Sequence, residues 1–339
     1  MSKIFLTGAS GYIGGQVLHE LLRSKHDVNI TALVRDIQKA ETISKRFPQV
    51  RTVIGDLDNS DILEQEASQA SIVLHLAATG HLKSVQSIHQ GLLKRDAADP
   101  AYWIQVSGAS ALVTEELASP TYVAGSASSK VFDDVEGLSD LQSHIRAYPA
   151  RAVDNYLLDT VSESANIKSA LVFPPIIYGE GEGPVNQRSI QIPELSRVTL
   201  ARGHGIRVGS GESRWGNVHV RDVGRIFFAL AEAALAKNSD EKIWGKNGLY
   251  LSGVGEIPFA EISARIAQTA LKLGHISSDK VEELAPEEYN TALPHGKVLF
   301  GTNARSNARR AKELLNWEPR EVSLEDDLER TITIEVNRK

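Results

Sequence analysis

Residues 3–15 run Lys-Ile-Phe-Leu-Thr-Gly-Ala-Ser-Gly-Tyr-Ile-Gly-Gly, and no other stretch narrows the fold as much. Ile4, Phe5 and Leu6 form a short apolar run of the kind that is buried in a parallel sheet. The run breaks at Gly8, and glycine recurs at Gly11, Gly14 and Gly15. Val17, Leu18, Leu21 and Leu22 then repeat at helical spacing. Strand, glycine turn and helix in this order form a layout suited to a dinucleotide. Gly8 permits the tight turn, Gly11 admits a pyrophosphate to the backbone, and Gly14 lets the helix lie close to the strand. The free amides and positive dipole end of that helix would hold the phosphates.

Alternation continues beyond the turn. Strands are expected at 28–34, 50–54, 71–76, 102–106 and 167–173, with helices near 37–47, 59–67 and 82–95 between them. Repeated strand–helix units imply an α/β fold, a Rossmann-type doubly wound parallel sheet with helices on both faces. Ligands of such sheets lie at the carboxyl ends of the strands. Gly8 to Gly14, Arg35, Asp56, Ala77 and Ser107 should therefore share one crevice.

Other expectations are looser. Residues 108–147 read as a long, weakly periodic Ser/Gly/Ala-rich loop, the type that is usually functional. A helix is expected from Pro149 to about 165, and 179–184 reads as a solvated Glu/Gly loop. A helix near 189–202 and a hairpin-like stretch at 206–220 follow, then helices near 222–236 and 257–272. Short helices are expected at 303–315 and 324–332.

Composition removes whole classes of function. The 339 residues are 42% hydrophobic and 24% charged, with a net charge of −6. That balance argues against a nucleic-acid partner, which would require a basic surface. No apolar run is long enough to span a bilayer, and the chain starts directly on a strand, so a cytoplasmic protein without a membrane partner is expected. The absence of cysteine excludes disulfides and thiolate nucleophiles. The ten histidines lack metal-ligand spacing, so no metal is expected.

Several blocks, in order, resemble the extended short-chain dehydrogenase/reductase family, also called the NAD-dependent epimerase/dehydratase family. Thr7-Gly8-Ala9-Ser10-Gly11-Tyr12-Ile13-Gly14 is similar to its TGxxGxxG loop. Gly55-Asp56-Leu57 resembles the block whose Asp lies near the adenine, and His75-Leu76-Ala77-Ala78 the block under the cofactor ribose. Phe173-Pro174-Pro175-Ile176-Ile177-Tyr178-Gly179 resembles RPxxVYG, 217–223 resembles VHVDDVA, and 312–319 resembles the C-terminal LGWxP. The resemblance implies a Rossmann domain over 1–175, to which 217–252 returns, and a smaller C-terminal substrate lobe from 176–216 and 253–339. It also implies a nicotinamide cofactor and a small-molecule substrate, in a monomer or homodimer.

Arg35 stands directly at the end of the second strand, with Asp36 behind it and Lys39 one helical turn on. An acidic residue there reads a ribose 2′-hydroxyl, whereas a cation suits a 2′-phosphate. The planar fork of Arg35 favours NADP, with NAD the second choice if Arg35 is merely solvated and Asp36 reads the ribose.

The family's catalytic pattern is a serine followed by Tyr-x-x-x-Lys, in which the lysine lowers the tyrosine pKa and holds the ribose. Ser107 and Ser110 supply the serine position, but no Tyr-x-x-x-Lys follows: the chain reads Tyr148-Pro149-Ala150-Arg151. Three readings stand. Tyr148 and Arg151 replace the pair, although Arg cannot shuttle a proton; or a group from 108–147, such as Tyr122, supplies the acid; or the protein binds cofactor without turnover, as a sensor. A sugar epimerase is a further option. His81, His219 and Asp222 read as capping or packing residues, and Arg214 and Trp215 as substrate-lobe contacts, with core packing an equal alternative for Trp215.

Overall fold

A computed structural model describes residues 2–96 and 99–338. Five of its strands are β1 (Ser2–Thr7), β2 (Val28–Val34), β3 (Arg51–Ile54), β4 (Ile72–His75) and β5 (Ala101–Val106). Four helices follow the first four strands in turn: α1 (Tyr12–Arg23), α2 (Ile37–Arg46), α3 (Ser60–Gln69) and α4 (Leu82–Leu93). Strands Ile167–Phe173 and Leu249–Leu251 complete a seven-stranded sheet, ordered Leu249–Leu251, Ile167–Phe173, β5, β4, β1, β2, β3. Every pairing in it is parallel. The chain runs outward from β1 to β3 and then returns to β4 on the other side of β1. This reversal opens a crevice at the carboxyl ends of β1 and β4.

Two apolar cores sandwich the sheet. Phe5, Val73, Trp103 and Leu171 face one core, and Ile4, Leu6, Ile72, Leu74, Ile104 and Val172 the other. Burial on both faces explains why these strands read as continuous apolar runs.

The remaining strands form smaller sheets. Gly255–Pro258, Arg214–His219 and Ile176–Tyr178 make three strands; Val281–Glu283 pairs with Gly205–Arg207, and Ser306–Asn307 with Phe132–Asp133. The helix Val220–Leu235 packs against α1. No helix among the described residues is long and apolar enough to cross a membrane.

Five expectations are corrected. The stretch 108–147 holds a 3₁₀ turn at 109–111, helices Thr114–Ala118 and Leu138–Arg146, and the strand Phe132–Asp133. Leu138, Leu141 and Ile145 supply a helical period there that a loop reading overlooks. The stretch 206–220 is no hairpin: its two strands pair elsewhere, because the intervening loop docks on Gly125, whose carbonyl accepts from Ser213 N at 2.9 Å. The helix after Pro149 starts at Ala152, because Pro149 sits inside a turn closed by Arg151 N to Tyr148 O at 2.9 Å. Within 303–315 only Arg310–Leu315 is helical. The 179–184 loop is tied to α1, Glu182 N donating to Gln16 Oε1 at 2.8 Å.

Gly8 has φ +85°, and a Cβ there would lie 2.6 Å from the Leu76 carbonyl carbon. Gly8→Ala is expected to cost about 1–3 kcal/mol of stability through backbone strain, read by urea denaturation. An unchanged midpoint would contradict this packing.

Candidate active site

The crevice is built by tying strand ends together. Thr7, fully buried, places Oγ1 2.6 Å from His75 Nδ1, and Leu76 N donates to Thr7 O at 3.2 Å. The ends of β1 and β4 are thereby fixed side by side. The Thr7 side chain is spent on this link.

The chain then turns at Gly8, with Gly11 N donating to Gly8 O at 2.8 Å. A Cβ on Gly14 would come 2.2 Å from Gly8 O, so α1 can start only against a bare backbone. Gly11 differs: its sole neighbour within 4 Å of an added Cβ is Gly8 O, at 3.1 Å, and its φ is −85°. It is the N-cap of α1, yet no side chain caps the helix and no acidic residue lies in its first turn. Such a terminus leaves amides and a positive dipole end for an anion. The residues fit a dinucleotide pyrophosphate, which the backbone of Ser10 to Gly14 would hold. The Tyr12 hydroxyl is engaged elsewhere, donating to Tyr178 O and Gly179 O at 2.9 and 2.5 Å. Ile13 packs against the core beside the sheet.

At the ends of β2 and β3, Arg35 is exposed and makes no ion pair or hydrogen bond through its side chain among the described residues. Asp36 is occupied: it caps α2, its Oδ1 accepting from Gln38 N at 2.7 Å and Lys39 N at 3.2 Å. Asp56 closes its own turn, accepting from Asp58 N and Asn59 N at 2.9 and 3.2 Å, with half-buried Leu57 inside that turn. Ala77 is exposed and Ala78 half-buried past the end of β4. Phe173 is 1% exposed and packs in the core, so its side chain faces no open site.

Ser107 follows β5 and is held through Ser107 N to Val172 O at 2.8 Å. Its Oγ accepts from Arg151 Nη2 at 2.8 Å. Arg151 also reaches Ser110 Oγ at 3.5 Å, and its Nε and Nη2 lie 2.7 and 2.6 Å from Asp154 Oδ2. Asp154 is fully buried. Burial raises its carboxyl pKa, and the charge of Arg151 and the nearby Ser107 hydroxyl oppose that rise. Arg151 therefore sits where a cation serves the serine, joined by an acid that the sequence reading did not single out. The signal was present as Arg151-x-x-Asp154 at helical i, i+3 spacing.

Tyr148 is not part of this cluster. Its ring packs on His144 with centroids 5.3 Å apart, and its pKa is raised by burial and by Glu115. The lowering by Arg151 expected from sequence is absent, because the guanidinium is committed to Ser107 and Asp154. Tyr122 donates to the carbonyls of Gly301 and Lys297 at 3.0 and 3.2 Å, which occupies the alternative phenol. His81 and His219 cap helices through Nδ1. Asp222 accepts from Arg320 N at 2.8 Å and Trp215 is buried, while Arg214 lies 4.0 Å from Glu256. No cluster of three or more potential metal ligands exists among the described residues.

The profile of the NAD dependent epimerase/dehydratase family matches residues 4–243. The oxidase ucsJ of Acremonium sp is 35% identical over 334 residues, spanning 96% of this chain and 95% of that protein. The dTDP-glucose 4,6-dehydratase of Bacillus anthracis, solved with NAD, aligns at TM-score 0.68 and 16% identity, over 100% of this chain and 98% of its own. The UDP-glucuronic acid 4-epimerase of Bacillus cereus aligns at TM-score 0.66 and 16% identity, over 99% of each chain. At such identities the two structures speak for the fold alone.

His75 links β4 to Thr7 and, through Nε2, to Ser84 Oγ at 3.1 Å. Burial lowers its pKa from 6.5 to about 3. The unfolded chain therefore binds the extra proton first, so the stability His75 contributes is complete above pH 6.5 and is lost as pH falls toward 3. His219, lowered to about 4, acts in the same direction. His75→Asn should reduce the acid-side slope of stability by about 1.4 kcal/mol per pH unit, measured by denaturation across that range. An unaltered slope would contradict the buried neutral histidine.

Proposed function

This chain belongs to the NAD-dependent epimerase/dehydratase family, and from that footing we propose that it is an NADP(H)-dependent oxidoreductase of a small carbonyl or alcohol substrate. The observation that carries the reading is the Ser107 hydroxyl, held by Arg151 at 2.8 Å at a strand end of the crevice. When bound, the cofactor supplies or accepts a hydride. The protein's share is to bind, orient and polarise.

Ser107 Oγ accepts from Arg151, and its own proton turns to the Asp154 carboxylate, whose pKa that hydroxyl lowers. A substrate oxygen that reaches Ser107 would take that proton over from Asp154, and the new hydrogen bond would polarise a carbonyl. Arg151 stays charged and offsets negative charge gathering on that oxygen, without moving a proton itself. Tyr148, which stands outside the Ser107–Arg151–Asp154 cluster and carries its phenol proton at neutral pH, is the donor in this reading.

Cofactor preference follows from two details. Arg35 is unpaired among the described residues, and the Asp36 carboxylate is used up as a helix cap. Exposed Ile37 and Ile54 offer an apolar wall for an adenine beside them. A cation free to bond a 2′-phosphate favours NADP over NAD.

A second reading, a cofactor-binding sensor without turnover, is favoured by the placement of Tyr148 away from Arg151 and Ser107. NADPH oxidation against a panel of small carbonyls separates the two. The enzyme reading expects turnover that falls about 10²–10³-fold in Ser107→Ala and is also reduced in Tyr148→Phe. Nucleotide binding without turnover on any carbonyl would favour the sensor.

Arg35→Ala should weaken NADPH binding about tenfold or more while sparing NADH, as the loss of a charge-assisted contact requires. An NADPH affinity that survives the substitution would overturn the NADP assignment.

A further inference from the structure

Asp154 lies one helical turn beyond Arg151 and is fully buried, yet the proposed chemistry gives it no role beyond accepting from Ser107. Arg151 places both Nε and Nη2 on the same oxygen, Oδ2, at 2.7 and 2.6 Å. Oδ1 is enclosed and has no hydrogen-bond partner. A forked two-oxygen pair would be the stronger grip on a guanidinium. The one-oxygen grip instead leaves Nη2 directed at Ser107 Oγ as well, at 2.8 Å. Among the described residues, Arg151 is the charged group that bears on the Asp154 carboxyl, and Ser107 the hydroxyl that donates to it.

We infer that Asp154 is the positioning residue of this site, fixing the Arg151 guanidinium so that it donates to Ser107 and holds the serine hydroxyl in place for a substrate oxygen. The inference rests on the reading of Ser107 as the polarising hydroxyl. The physical reason is a count of hydrogen-bonding capacity. A serine that accepts from a fixed cation cannot also donate to it, so its single proton goes to the Asp154 carboxylate until a substrate oxygen competes for it. Were the guanidinium free to rotate, the hydroxyl would keep no preferred direction, and the orientation on which polarisation depends would be lost. In this chain a buried ion pair at i, i+3 thus takes the place of the family pattern's lysine as the element that orders the site.

The test compares Asp154→Asn with the double variant Arg151→Met/Asp154→Leu, which replaces the buried pair by apolar side chains and so avoids an uncompensated buried charge. Three quantities are read: NADPH affinity, kcat and KM for the best carbonyl, and rotation about the Arg151 Nε–Cζ bond by NMR of ¹⁵N-arginine-labelled protein. The expected result is unchanged NADPH affinity, kcat lowered about 10²-fold with KM within about twofold, and faster guanidinium rotation in Asp154→Asn. Asp154→Glu should restore part of the kcat. Wild-type turnover with an unaffected kcat in both variants would overturn the inference while leaving the oxidoreductase reading intact. If the unaltered protein turns over no carbonyl, the oxidoreductase reading fails, and the rotation measurement alone decides: slow rotation that persists in Asp154→Asn overturns the positioning role, and release of the rotation upholds it.

Discussion

The central constraint is the contact between the glycine turn and the strand beside it. Gly8, at φ +85°, packs its bare Cα against the backbone of Leu76 and Ala77, and Gly14 packs against Gly8 in turn. Side chains at either position would push α1 away from the sheet. The Thr7–His75 link at 2.6 Å holds the two strand ends at that spacing. The result is a helix start without a side-chain cap, aimed at the crevice where the strand order reverses. Unpaired amides at such a place cost stability unless water or an anion meets them. A fold that accepts this cost is prepared for a phosphate.

The same economy appears at β5. Ser107 is oriented by its own backbone through Val172 and by Arg151 through its side chain. Arg151 is fixed by a turn around Pro149, which sets the helix start at Ala152, and by buried Asp154. Each polar group is therefore held by another, and the last one by burial. Buried pairs of this type add little net stability. Their use here is geometric, since a guanidinium with one partner on each side has few rotamers left.

Much of the sheet could be read from sequence because burial on both faces writes itself as apolar runs. β2 and the strand Ile167–Phe173 appear with the expected ends. The glycine spacing was legible for the same reason, since no other residue tolerates the Gly8 backbone beside Leu76. Long-range pairing was not legible. Whether Arg214–His219 folds back on Gly205–Arg207 or joins Ile176–Tyr178 depends on residues far apart in the chain, and Gly125 decided it. The 108–147 stretch hid its helix Leu138–Arg146 because small residues around it diluted the period. At the site, Arg151 was visible as a departure from Tyr-x-x-x-Lys. The role of Asp154 was not, because nothing in the order of residues tells which i, i+3 pair is buried.

Calorimetry of NADPH and NADH binding, with the unaltered protein and with Gly11→Leu, tests the account most directly. Gly11 has a backbone that any residue adopts, and the one close neighbour of an added Cβ is Gly8 O at 3.1 Å. A leucine there asks a small shift of the turn while covering the first-turn amides, and a urea midpoint read alongside shows that the fold stands. Uptake of a pyridine nucleotide by the unaltered chain, lost in the leucine variant, is the predicted result. Absence of uptake for both nucleotides, or uptake indifferent to the leucine, would contradict it.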